Sequence, residues 1–357
     1  MEYRKCLEKV LPYVPGKSEE EIKKEFNIDK VIKIASNENP YGPSLKVKEC
    51  LENINFNIYP DNYVTILREK LAGKLNVPQN YLLFGNGSVE IIQMLSRVLL
   101  NDGDNIITEL PSFSSYFSEA KIQNANIKTI EYDTNYSFNL SKILNLIDDR
   151  TKMIYITNPN NPLGTIIKSN ELIEFVKQVP KNILVVIDEA YFEFVRDKEY
   201  ISAIDLTKNY SNVCVLRTFS KAYGLASLRI GYIVANSNII NELEKVRVPF
   251  NVSTIAQKCA LVALEEKEHL NYVINNIHNT IDYMYEELDK INIEYIKTQA
   301  NFIMINVNRS SKEIVLELLK KGYIVREGFP LMENWIRVSI GTKEEMSGFV
   351  NALKEVI

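Results

Sequence analysis

Lys221 stands in the loop R-T-F-S-K-A-Y-G-L-A-S-L-R-I-G-Y, residues 217–232, where Thr218, Ser220 and Arg229 set two hydroxyls and a guanidinium around its amine. Hydroxyls with an arginine hold a phosphate dianion, and an amine beside them can attack a carbonyl. A solvated basic loop is the plain alternative. Against it, Gly224 and Gly231 bracket the loop, and residues 213–216 and 230–235 read as buried strands, so Lys221 is expected over a cleft. An adjacent Ser-Lys pair also suits a hydrolase dyad, but the S-x-x-K and G-x-S-x-G contexts of such enzymes are missing.

The elements that must position this loop alternate between strand and helix patterns. A strand at 81–84, the turn G-N-G-S and a helix at 89–100 make an anion site, because free N–H groups and the helix dipole converge at Ser88. Glu90 occupies the place of the third glycine of a dinucleotide fingerprint, and no G-x-x-x-x-G-K-[ST] occurs. Strand 105–108 runs into P-S-F, where Phe113 is a core residue unless a flat ligand lies beside it. Strand 152–157 delivers N-P-N-N-P-L-G with Asn161. Residues 183–187 are apolar throughout, as in a parallel sheet, and end in D-E-A-Y, where Asp188 must be compensated by a cation or strong donors. A short strand at 32–35 leads into S-N-E-N-P-Y-G-P, too polar for a simple connector. Ligands of open α/β sheets bind at the carboxyl ends of strands, so Ser88, Phe113, Asn161, Asp188 and Lys221 are expected to converge.

That set meets one chemical demand. Lys221 would form an imine with an aldehyde, Asp188 would keep a pyridine nitrogen protonated, and Tyr191 and Asn161 would hydrogen-bond a phenolic oxygen. Phe113 would stack on the ring, while Ser88, Thr218, Ser220 and Arg229 would hold a phosphate. The ligand so described is pyridoxal 5′-phosphate, an electron sink for an α-carbanion.

Nearly the whole chain resembles the fold type I pyridoxal-phosphate aminotransferases, class II, and most closely the histidinol-phosphate aminotransferases among them. L-P-Y-V-P-G-K, A-S-N-E-N-P-Y-G-P-S, Y-P-D, G-N-G-S, N-P-N-N-P-L-G, D-E-A-Y, the Lys221 loop and I-R-V-S-I-G-T carry the resemblance. It implies that Lys221 is the cofactor's lysine, with Asp188 and Tyr191 also catalytic and Val89 among the cofactor ligands. It implies Arg337 as the anion clamp for substrate, and a homodimer in which Tyr59 reaches the phosphate of the neighbour's cofactor. Arg326, Tyr13 and Asn37 are further substrate candidates, and Tyr13 or Asn251 would read an imidazole. Three positions depart from the usual pattern: Val89 replaces a common aspartate, Phe113 a tyrosine and Ser227 a glycine. Val89 still presents its N–H and Phe113 its π face.

The implied reaction converts L-histidinol phosphate and 2-oxoglutarate to imidazole-acetol phosphate and L-glutamate, a step of histidine biosynthesis. Alternatives on the same scaffold are an aromatic or broad-range aminotransferase and a threonine-phosphate decarboxylase. A non-catalytic pyridoxal-phosphate module is disfavoured by the presence of Lys221, Asp188 and Arg337 together.

Composition agrees with small-molecule chemistry. The 357 residues are 46% hydrophobic and 25% charged, with a net charge of −4, which gives no electrostatic reason to expect nucleic acid or an anionic membrane. His269 and His278 both fall in polar helical sequence, so a histidine metal site is not expected. Cys6, Cys50, Cys214 and Cys259 lack C-x-x-C spacing, which suits reduced thiols in the cytoplasm. The N-terminus has no apolar signal core and no run is long enough to span a bilayer.

The expected architecture is α/β: a large domain at 31–246 with a mostly parallel sheet flanked by helices, and a smaller α+β domain at 247–357. An arm and short helix at 1–30, with a capping box from Ser18 and Glu21, are expected to pack on the small domain. Long helices at 253–268 and 269–289 precede strands at 301–307, 323–326 and 335–340. Thr342 and Glu345 cap a last helix whose Met346, Phe349, Val350 and Leu353 face one way.

Overall fold

The computed structural model describes residues 1–12 and 18–357. After β1 (Ile32–Lys33), seven strands in chain order build one sheet: β2 (Leu82–Gly85), β3 (Asn105–Leu110), β4 (Asn126–Glu131), β5 (Thr151–Thr157), β6 (Leu184–Asp188), β7 (Val213–Thr218) and β8 (Gly231–Ala235). Their spatial order is β2-β8-β7-β6-β5-β3-β4. The pairs from β4 across to β7 are parallel, and β8 runs antiparallel to both β7 and β2. Every residue of β6 is buried, because helices cover both faces of the sheet. Val185 and Ile187 join one apolar cluster, Leu184 and Val186 the other, following the two-residue alternation of a strand.

The smaller sheet holds β9 (Tyr295–Ile296), β10 (Phe302–Asn306) and β12 (Trp335–Ser339), antiparallel in the order β12-β10-β9, while β11 (Tyr323–Ile324) pairs with β1. Helices Lys267–Lys290 and Lys343–Val356 bury Ile277, Ile281, Met284, Phe349 and Leu353 against this sheet in a third cluster. Both expected capping boxes form, at Ser18/Glu21 and Thr342/Glu345. Among the described residues no helix is long and apolar enough to cross a membrane.

The domain limits shift in two places. The start of the arm sits on the large domain: Arg4 Nη2 and Cys6 Sγ donate to the Ile122 carbonyl, at 2.8 and 3.3 Å. Ile122 ends helix Ser114–Ile122, where a carbonyl without an intrahelical partner accepts such donors. Helix Thr254–Glu265, expected in the small domain, buries Ala256, Cys259, Ala260 and Leu264 in a cluster of the large sheet. Its small residues let it lie close to helices Leu45–Glu49 and Thr65–Leu75, so the large-domain core runs past residue 246.

Candidate active site

The carboxyl ends of β5, β6 and β7 open into a cleft of about 440 Å³, which β11, β12 and the segment 35–37 close from the small domain's side. Ser88, Val89, Phe113, Asn161, Asp188, Tyr191, Thr218, Ser220, Lys221 and Arg229 all line it, and so do Asn37, Arg326 and Arg337. The separation in sequence is bridged because consecutive parallel strands end on one edge of the sheet.

One end of the cleft is an anion cradle. Helix Ser88–Leu99 begins there, so its first N–H groups lack intrahelical partners. Thr218 Oγ1 donates to Ser220 Oγ at 3.0 Å, and Arg229 Nη1 reaches the same hydroxyl at 3.4 Å. Gly87 (φ +78°) is required twice over: its backbone is left-handed, and a Cβ would collide with Arg229 Nη2. A Cβ on Gly231 would lie 2.7 Å from the Ser88 nitrogen, so that glycine brings β8 against the helix start.

The cleft floor carries Asp188, only 3% exposed. Its Oδ2 accepts from Tyr116 Oη at 2.7 Å and its Oδ1 from the Ala190 nitrogen at 3.0 Å. Burial raises the carboxyl to about 6 against the lowering pull of those two bonds. Lys221 Nζ donates to the Ser36 carbonyl at 2.9 Å. Burial and the charges of Arg337 and Arg229 pull its amine down to about 7, with Glu38 and Asp188 opposing. An amine so placed is part neutral at pH 7 and can act as a nucleophile or base.

Tyr191 Oη accepts from Asn37 Nδ2 at 2.9 Å and, more loosely, from Asn161 Nδ2 at 3.4 Å. Asn37 takes a left-handed backbone (φ 55°) and is tied by its nitrogen and side-chain oxygen to Ser339 Oγ. Arg337 Nη1 donates to Asn161 Oδ1 at 2.6 Å and Nη2 to the Ala35 carbonyl at 2.7 Å. Arg326 bridges Arg337 through backbone bonds in both directions.

Two candidates stand elsewhere, and a third is not placed. Tyr59 is 78% exposed, stacked on Phe250 with centroids 4.8 Å apart, and does not line its own chain's cleft. Asn251 donates to the Phe84 carbonyl and Glu90 Oε2 instead of facing the cleft, because it locks the turn after β2. Tyr13 lies outside the described residues.

Sequence reasoning missed Tyr116, Glu109 and Arg217. Tyr116 follows Phe113 by one helical turn, a spacing that hinted at a shared face. Glu109 is fully buried, its Oε2 accepting from the Thr157 nitrogen at 3.0 Å and Asn160 Nδ2 at 3.3 Å, and burial lifts its carboxyl to about 8. Arg217 Nε and Nη2 both reach Glu189 Oε2, at 2.9 and 2.7 Å, with the guanidinium 3.6 Å from the Phe192 ring centroid. That pair anchors the segment between Asp188 and Tyr191.

Residues 29–353 match the family model for aminotransferases of class I and II. The chain is 42% identical over 358 residues to the histidinol-phosphate aminotransferase of Caldicellulosiruptor saccharolyticus, spanning 99% of this chain and 100% of that one. It is 41% identical over 356 residues to the histidinol-phosphate aminotransferase of Bacillus licheniformis, spanning 99% of each. The solved histidinol-phosphate aminotransferase of Sinorhizobium meliloti, in complex with pyridoxal-5′-phosphate, matches with a TM-score of 0.92 across 100% of this chain and 98% of that chain. At 24% identity this last likeness concerns the fold.

Proposed function

The chain belongs to the class I and II aminotransferases, and we propose that it moves the amino group of L-histidinol phosphate to 2-oxoglutarate, giving imidazole-acetol phosphate and L-glutamate, with pyridoxal 5′-phosphate as cofactor. One observation carries this reading: Lys221, Asp188 and Arg337 converge on one cleft in a chain 42% identical to a histidinol-phosphate aminotransferase along its whole length.

The donor set fits the cofactor. The cradle of Ser88, Val89, Thr218, Ser220 and Arg229 suits its phosphate, and the collision that a Cβ at Gly87 would meet shows how tightly that end is built. Asp188 suits its ring nitrogen, Asn161 and Tyr191 its ring oxygen, and Phe113 its face. When bound, the cofactor supplies an electron sink for negative charge at the substrate's α-carbon.

The chain's own residues do the rest. Asp188, ionised above about pH 6, holds positive charge at the ring nitrogen. Lys221 Nζ would hold the cofactor through its aldehyde carbon and, with its amine free, would take the proton from the substrate's α-carbon. Its lowered pKa leaves it part neutral for that task near pH 7. Arg337 presents a planar fork to the substrate's anionic end, held by Asn161 and Ala35. Glutamate offers a carboxylate to that fork and histidinol phosphate a phosphate. Arg326 and Asn37 line the same wall.

The reading includes a homodimer with shared active sites. Phe56, Ile58, Tyr59, Tyr63 and Ile66 are all exposed, and Tyr59 stacks on Phe250, an apolar surface that suits a second copy. Tyr59 would then reach the partner's phosphate cradle. The cytoplasmic setting expected from the unpaired thiols belongs to the same proposal.

The test is a panel of amines on the purified holoenzyme, with the bound cofactor's absorbance as readout. Histidinol phosphate and glutamate are expected to convert it fastest, with turnover dependent on 2-oxoglutarate. Preference for an aromatic amino acid, or CO2 released from threonine phosphate without an oxo acid, would overturn the assignment.

A further inference from the structure

Asp188 is buried among groups that disfavour its charge. Burial and the neighbouring Glu189 raise its pKa, while Lys221 on the next strand's loop opposes them. Its two oxygens have one donor each, the Ala190 nitrogen and Tyr116 Oη. The Ala190 bond is local to the D-E-A-Y turn. The Tyr116 bond spans 72 residues and comes from helix Ser114–Ile122.

Tyr116 is fixed in place on two sides. Its ring stacks on Tyr155 with centroids 4.2 Å apart and planes at 12°, and meets Phe113 edge-on at 5.6 Å and 82°. Its hydroxyl lies 3.3 Å from Thr157 Oγ1, which lies 3.2 Å from Ser112 Oγ on the cleft wall. With Tyr116 donating to Asp188, its oxygen is left to accept from Thr157, and Thr157 from Ser112. Each bond in such a chain polarises the next toward the carboxylate.

We propose that Tyr116 is a positioning residue that keeps Asp188 ionised at neutral pH, so that Ser112, Thr157 and Tyr116 together set the acid limit of the reaction. This rests on the reading of Asp188 as partner of the cofactor's ring nitrogen. Phe113 and Asp188 thereby share one support: a single side chain braces the ring-stacking residue with its edge and the charge partner with its hydroxyl. The neighbouring Glu109 keeps its proton below about pH 8, so it adds no second full negative charge beside Asp188 where the enzyme would work.

Tyr116→Phe separates the two roles, because it retains both ring contacts and deletes the hydroxyl alone. A hydrogen bond to a charged group has a strength that corresponds to roughly one to two pKa units, so Asp188 should titrate that much higher in the variant. The acid limb of kcat/KM for histidinol phosphate is expected to move up by about one to two pH units, with activity recovering toward pH 9. The second readout uses the apoprotein. Where Asp188 is protonated in both proteins the melting temperatures differ little. As pH rises from about 6 the wild-type carboxylate ionises with its donor and the variant's without it, so the gap should widen until both are ionised.

A gap that is the same at every pH, with an unmoved acid limb, would reduce Tyr116 to packing and overturn the proposal. A widening gap with an unmoved acid limb would retain the bond but remove Asp188 from the chemistry, and then the functional reading fails as well. Should Tyr116→Phe not fold, Thr157→Val gives the same test with a smaller shift in the same direction, and no shift there overturns it.

Discussion

Replacing Arg337 by lysine tests the substrate clamp most directly. The guanidinium lies over the rings of Phe302 and Phe329, each centroid 5.4 Å from its Cζ, and donates Nη1 to Asn161 and Nη2 to Ala35. Lysine keeps the charge, but a single ammonium cannot fill both positions and also present a bidentate edge to an anion. Loss of one charge-assisted bond costs about 1.5–3 kcal/mol, which lowers kcat/KM by about 10- to 150-fold. Because one fork serves carboxylate and phosphate in turn, the fall should appear with glutamate and with histidinol phosphate alike. Asn161 also loses its 2.6 Å partner, so cofactor release during dialysis should quicken. Single-turnover rates with each amino donor give the assay. If only glutamate suffered, Arg337 would not be the shared clamp and Arg326 would replace it in the argument. Unchanged cofactor release would refute the coupling through Asn161.

Borohydride added to the holoenzyme should fix the cofactor to Lys221, and peptide mapping that finds it on another lysine would sink the site. Mixed dimers of Lys221→Ala with Tyr59→Phe chains, assayed at limiting cofactor, should exceed either parent, because a tyrosine donated in trans leaves one intact site per hybrid; a monomer on sedimentation or no gain on mixing rules the shared site out. Glu189→Ala should destabilise the apoprotein in urea by up to about 3–5 kcal/mol, since it removes the closer of the two carboxylates that face the buried Arg217 guanidinium, and a loss under about 1 kcal/mol would mean Glu193, at 4.0 Å, compensates the charge by itself.

Those experiments fall on residues of two kinds. The glycine turn at Ser88, the lysine loop, Asp188 and both capping boxes were legible in the chain itself, because each depends on neighbours a few residues apart. A glycine turn before a helix exposes N–H groups wherever it occurs, and a cap is closed by its own third residue. The strand Leu184–Asp188 was equally plain, since an apolar run ending in a carboxylate admits few placements.

The tertiary structure decided what joins distant segments. The sequence pattern of residues 231–235 is the same for either direction, and only pairing with β7 and β2 made that strand antiparallel. Arg337 is held by Asn161 from 176 residues away, and Asp188 by Tyr116 from 72. Neither pairing carries a local signal, because a hydrogen bond across the fold needs only a donor of the right length at the right point in space. The placement of the arm at Ile122 and of helix Thr254–Glu265 on the large sheet have the same origin. Residue types and spacing thus specify what chemistry the chain can do, whereas burial and long-range contacts set the charge states, Asp188 near 6 and Lys221 near 7, at which it does it.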